Sequence, residues 1–248
     1  MRKLVCALSL SLGLASPASA INWAEGQVAD PFSDQQCNVQ MIVSYGGYIY
    51  QYPSKWDGVY FPNTDRNWLW ACPSGFVALG SDEFFNQEEV GDSIDERERS
   101  NIRSFLMDNP KVVLNWEGRW ERFIELETLR NRPAARREFI FRLRAYFAED
   151  AEIANEYRAQ AAQLIEGLMT SGEISGIGLI ERQFLMGVYA ERKGNQSEAD
   201  KWFVLAKETP WIDDDNTEHE GLAYFNELIA EVIESRDQQS PPWNERVE

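Results

Sequence analysis

The apolar positions divide the chain into two textures. Over residues 41–85 they are mostly aromatic, including Tyr45, Tyr48, Tyr50, Trp56, Tyr60, Trp68 and Trp70, and Gly46-Gly47, Pro53, Gly58 and Pro73-Ser74-Gly75 punctuate them. Short aromatic runs bounded by Gly and Pro predict strands at 41–45, 48–52 and 68–72. A unit that small has little interior of its own, so a covalent staple and a packing neighbour are expected. Residues 86–100 are polar and acidic, a linker or a solvated helix start. Beyond Asn109-Pro110 the period changes. Trp116, Trp120, Phe123 and Leu126 recur at helical spacing, as do Phe139, Leu143, Tyr146 and Phe147 behind Pro133, which suits a first helical turn. Residues 153–169 predict a third helix ending near Ser171-Gly172. Gly176-Ile177-Gly178 reads as a break. Residues 179–192 and 197–208 then form a helical hairpin around Lys193-Gly194-Asn195, and 222–236 a last helix. Residues 238–248 read as a polar tail.

The N-terminus has a different pattern. Arg2 and Lys3 precede an apolar run at 4–14, and Ala18 and Ala20 stand as A-x-A. That is the three-part layout of a secretory signal peptide, too short to span a bilayer. Cleavage is expected after Ala20, with no lipid anchor at Cys6, and no later stretch reaches eighteen apolar residues. The expected location is therefore the periplasm or outside the cell. Two cysteines then remain, Cys37 and Cys72. In an oxidising compartment a pair is most simply a disulfide. Two free buried thiols are the alternative, since a structural zinc site needs four ligands and only the distant His219 is on hand.

The hairpin carries the most specific local signal. With Ile180 as position one, Gly187, Gly194, Ala199, Phe203 and Ala206 occupy the small and large positions of a tetratricopeptide repeat. Small residues there let two antiparallel helices touch, and the aromatic fills the groove beside them. Gln183 stands where the repeat usually has an aromatic, and Pro210 comes one place early. The expected fold is α+β, mostly α: a small disulfide-stapled β-rich N-terminal module on a tetratricopeptide-like antiparallel helical domain. The boundaries are 1–20 for the signal peptide, 21–100 for the aromatic β module and acidic linker, 101–237 for the helical domain and 238–248 for the tail.

Three stretches together resemble a bacterial family designated domain of unknown function number 2225, which joins a zinc ribbon with two C-x-x-C knuckles to tetratricopeptide-like helices. Ala71-Cys72-Pro73-Ser74-Gly75-Phe76-Val77-Ala78 is similar to the second knuckle. Phe184-Leu185-Met186-Gly187, Arg192-Lys193-Gly194-Asn195 and Glu198-Ala199-Asp200-Lys201-Trp202-Phe203 are similar to the closing hairpin. The aromatic spacing between Tyr52 and Trp70 is similar to that between the knuckles. Cys37-Asn38-Val39-Gln40 keeps one cysteine of the first knuckle, and Cys72 one of the second. The resemblance implies that the two lone cysteines converge where the knuckles would meet. It implies no activity.

Charge narrows the functional classes. With 41 acidic against 24 basic residues the net charge is −17, and loss of Arg2 and Lys3 makes the exported chain more acidic still. Such a chain lacks the clustered Lys and Arg that grip phosphate backbones or anionic membranes. Asp213-Asp214-Asp215 with His219 and Glu220 lacks the spacing of a calcium loop and reads as a solvated acidic loop. No Gly-rich phosphate loop or nucleophile elbow is present, so no catalytic residue, cofactor or metal is assigned. Trp56, Trp68 and Trp70 are candidate binding residues, because exposed aromatics stack on glycans or peptides; as core they would do no such thing. The expected function is an exported non-enzymatic interaction or scaffold protein whose partner is another exported protein with a basic surface. The alternative is a cell-wall or glycan-acting hydrolase, or a glycan-binding protein, using the aromatic module; two carboxylates facing each other in one cleft would mark the hydrolase.

Overall fold

The computed structural model describes residues 21–45, 53–85, 95–110, 115–210, 220–236 and 241–244. The expected signal peptide, the strand expected at 48–52 and the expected acidic loop at Asp213-Asp214-Asp215 lie outside them. An antiparallel hairpin opens the described chain, β1 (Ile21–Ala29) with β2 (Gln36–Tyr45). The register pairs Val28 with Cys37, Gly26 with Val39 and Ala24 with Met41 on one face. Near the turn that face is buried at Cys37 and Val39, whereas Met41 is exposed. A register shift between Asn22 and Trp23 sets Trp23 opposite Ile42. Its indole donates to Asp65 at 3.0 Å and its ring meets Phe61 and Trp68. β1 goes unread in the sequence because Trp23 and Val28 are its only large apolar residues past Ile21. It is a strand through pairing with β2 rather than through an apolar run.

Two 3-10 turns follow, Pro53–Asp57 and Arg66–Trp68, and then a second antiparallel pair, β3 (Leu69–Ala71) with β4 (Val77–Leu79). Gly75 closes the turn between them at φ 83°, a left-handed conformation that favours glycine. The Cys37–Cys72 disulfide joins β2 to the end of β3 across 35 residues, with Cα atoms 4.6 Å apart. In the chain-entropy account a loop of that length contributes about 3–4 kcal/mol.

The helices are α1 (Glu96–Asp108), α2 (Trp116–Leu129), α3 (Ala134–Phe147), α4 (Ala151–Ser171), α5 (Gly176–Arg192), α6 (Gln196–Glu208) and α7 (Glu220–Ser235). Side-chain caps explain several starts: Asp95, Asn115, Asp150 and Asn195 each accept from a backbone N–H of the first turn. Gly172 ends α4 at φ 72°. Of the acidic stretch, residues 96–100 are the start of α1, one of its two expected readings, and Ile102 and Leu106 of that helix are buried. Two expectations need correction. Pro133 is the N-cap of α3 rather than a member of its first turn. Gly176-Ile177-Gly178 starts α5 instead of breaking the chain, with Ser175 at its cap.

Among the described residues two hydrophobic cores form, and the first of them spans residue 100. The first gathers Cys37, Val39, β3, β4, Phe76 and Phe84 with Ile102, Trp120, Phe123 and Leu143 from α1, α2 and α3. The second gathers α4, α5, α6 and α7, with Trp56 of the first 3-10 turn in their midst. Residues 242–244 are not free tail. They form a further 3-10 turn, and the Trp243 ring lies 6.4 Å from Trp56, edge to face.

Candidate functional site

The three tryptophans do not form one platform. Trp56 is 1% exposed and lies in the second core, while Trp70 is 6% exposed in the first. Trp68 is half-buried and packs edge-on to Trp70 at 5.6 Å. Stacking needs an accessible ring face, so Trp56 is removed from the candidates; its surface is spent on Phe184 and Trp243. The aromatic density of this region is largely the density of a core.

The hairpin residues come together as their spacing requires. Ala199, Phe203 and Ala206 are buried. Gly187 lies against the Phe203 ring, so closely that any side chain there meets it. Thr209 donates to Gln183 at 2.9 Å, so the far ends of α5 and α6 meet as antiparallel neighbours do. Gly194 makes the turn at φ 73°. These residues build a helix seam and offer no ligand group.

Asp30 lies beside the disulfide, its carboxylate and the two sulfurs within 4.8 Å of one another. The sulfurs are bonded together. Both carboxylate oxygens are occupied as well, by the backbone N–H groups of Phe32 and Ser74 and the hydroxyls of Ser33 and Ser74. The trio therefore ties the 30–35 turn to the 72–76 turn and leaves no lone pairs for a metal.

Charged side chains converge at two buried places. Arg130, on the C-cap of α2, pairs with Asp82 at 2.6 Å and Glu127 at 2.8 Å, and also with Glu83 and Glu98. Burial pushes the Glu127 carboxyl up, against the opposing pull of Arg130 and Arg136. At the second place Asp57 accepts two bonds from Arg158, at 2.7 and 2.9 Å, with Arg192 at 3.7 Å. Burial raises the Asp57 carboxyl, yet the Arg192 and Arg158 guanidinium groups outweigh it and hold it below the usual range. Burial in turn lowers Arg192 to about 10. Arg142 donates to the carbonyls of Asp57 and Gly58 and pairs with Glu138, which also meets Arg182 at 3.2 Å. Both networks stitch the N-terminal loops onto helices. Their carboxylates are bound to guanidinium groups.

One surface cleft, about 680 Å³, lies where the β1–β2 hairpin, β3 and α2 meet. Glu25 and Gln27 come from β1 and Asn38 and Gln40 from β2. The pairs Glu25 with Gln40 and Gln27 with Asn38 stand directly opposite in the ladder, so their side chains share a face. Asn67 reaches it from the second 3-10 turn, Arg119 from α2, and Trp70 from β3. Alternation of polar residues at 25/27 and 38/40 was the only local signal for this cleft; nothing near Arg119 in the chain points to it. A smaller cleft, about 360 Å³, lies at the start of α6 and includes Asn195, Glu198, Lys201, Trp202 and Leu205. Each cleft carries a single carboxylate, Glu25 or Glu198, where glycoside hydrolysis needs two. No family model, curated protein or solved structure matches the chain.

Proposed function

We propose that this chain is an exported, non-enzymatic interaction protein, in which an aromatic β module is fixed to a tetratricopeptide-like helical layer and the partner presents a basic surface. The observation that carries the reading is the charge left at the surface once the buried ion pairs are set aside. Arg122, Arg130, Arg142, Arg144, Arg158 and Arg192 are drawn into ion pairs with side chains no more than 13% exposed. Asp57, Asp82, Glu127 and Glu138 are buried with them, so these ion pairs leave the surplus of 41 acidic over 24 basic residues essentially intact. The acidic surplus is left to face solvent, where it steers a basic partner. The single carboxylate in each cleft favours binding over hydrolysis.

Export is supported by the Cys37–Cys72 disulfide, which fits an oxidising compartment, and by the signal-peptide pattern. No described helix is long and apolar enough to cross a membrane. The resemblance to the zinc-ribbon and tetratricopeptide family fits the same architecture, with the disulfide in the place of a metal. The test is affinity capture from the exported fraction of the source cell. A partner retained at about 50 mM salt and released at about 500 mM, through slowed association, supports the reading. Release of soluble fragments from purified peptidoglycan, abolished by Glu25→Gln, overturns it.

A further inference from the structure

Several polar side chains of the larger cleft have no partner among the described residues, although two of them, Gln27 and Asn38, are joined by a hydrogen bond from the Gln27 amide to Asn38 at 3.1 Å. Arg119 is half-buried on α2, yet its side chain has no ion pair or hydrogen bond among the described residues. The side chains of Glu25, Gln40 and Asn67 have none either. Trp70, nine-tenths buried, also borders the cleft, and its indole N–H has no protein partner among the described residues. Partly desolvated donors without partners are costly, and the cost is recovered when a ligand supplies acceptors. The contrast with Arg130, Arg142 and Arg158, each held by several partners, makes Arg119 the exception to be explained.

We infer that this cleft binds a short, uncharged oligosaccharide. Its volume lies in the range of small-ligand sites and accommodates roughly two or three sugar rings. The amides of Gln40 and Asn67 are free among the described residues, and Gln27 and Asn38, bonded to each other, keep further donors and acceptors, the combination that pairs with hydroxyls that both donate and accept. Arg119 adds a rigid fork of donors and Glu25 an acceptor. One cation and one anion balance each other, so a charged ligand would meet a like charge while a neutral one meets none. The apolar lining is Val39, Leu69, Ala71 and the small exposed part of Trp70, against which the C–H groups of a sugar ring can rest. An extended peptide is the poorer fit, because strand addition relies on apolar pockets for alternate side chains, and this lining is mostly polar.

The inference stands independently of the protein-partner reading. Isothermal titration of the purified chain with cellotetraose, maltotetraose and chitotetraose tests it. At least one should bind with a dissociation constant of about 1 mM or tighter. Arg119→Ala and Asn67→Ala should each weaken that binding about tenfold with an unchanged melting temperature, since neither side chain holds the fold. Lys201→Ala, in the other cleft, should leave it unchanged. The inference is overturned if none of the three binds at about 10 mM, if both cleft variants bind as wild type does, or if a mixed-sequence peptide pool binds in an Arg119-dependent way instead. Loss of salt-sensitive protein capture with sugar binding intact would sink only the partner reading.

Discussion

Gly187→Ala is the sharpest probe of the α5–α6 seam, because helix propensity and packing push it in opposite directions. An ideal Cβ on Gly187 comes within 2.5 Å of Phe203 Cδ1 and 2.9 Å of Cζ. Carbon atoms prefer about 3.5–4.0 Å. The ring has little room to retreat: Phe203 is 2% exposed and packs 6.3 Å from the Phe184 ring. Alanine in place of glycine inside a helix gains about 1 kcal/mol of propensity. Overpacking a filled core costs about 1–3 kcal/mol. The expected net effect is a loss of up to about 2 kcal/mol. Gly167→Ala is the matched control, since Gly167 is exposed on α4 with no atom within 4 Å of a new Cβ. There the propensity gain stands alone, and stability should rise by about 0.5–1 kcal/mol. In a chain of this size 1 kcal/mol moves the melting temperature by about 2–4 °C, so calorimetry or urea unfolding separates the two variants. Phe203→Leu in the Gly187→Ala background should recover part of the loss. Should Gly187→Ala stabilise as much as Gly167→Ala, the helices do not meet at this residue and the seam is misplaced.

Intact mass of the unreduced chain should be two units below that of the reduced chain, and Cys37→Ala with Cys72→Ala should cost about 3–4 kcal/mol in urea unfolding; free thiols in the unreduced protein would contradict both. Asp57→Asn should cost about 3–5 kcal/mol, because Arg158 and Arg192 then share a buried site without their carboxylate. The Asp57 carboxyl is held below its ordinary value of 3.8, so its ionised form is favoured by folding. The advantage of wild type over Asp57→Asn should therefore be full above the unfolded value and fall away as pH drops below it; a gap that persists unchanged in strong acid would refute the assignment. Trp243→Ala should lower stability by about 1–2 kcal/mol by uncovering Trp56 and the Arg192 guanidinium, 5.2 Å from the Trp243 ring; a neutral result would show that residues 242–244 only touch the surface.

What the sequence determined alone was what short-range physics controls. Apolar residues at helical spacing announced α2 to α7, because the period follows from 3.6 residues per turn whatever the neighbours are. Gly194 and Gly172 announced their turns, since glycine adopts a left-handed backbone at no steric cost. The spacing from Gly187 to Ala206 announced a close seam, because helices approach only where side chains are small. The net charge of −17 was legible without a fold, because it is a sum over residues. The tertiary structure decided everything that depended on what covers a side chain. Trp56 and Trp70 look alike in the sequence, yet one enters the helical core and the other the β module's core. Trp243, in an apparently polar tail, closes over the first of them. β1 exists because β2 pairs with it, and the cleft exists because residues as distant as Glu25 and Arg119 line the same space. The reason is common to all of these: a local pattern sets which face of an element is apolar or polar, but its partner comes from elsewhere in the chain, and only the packed chain brings the two together.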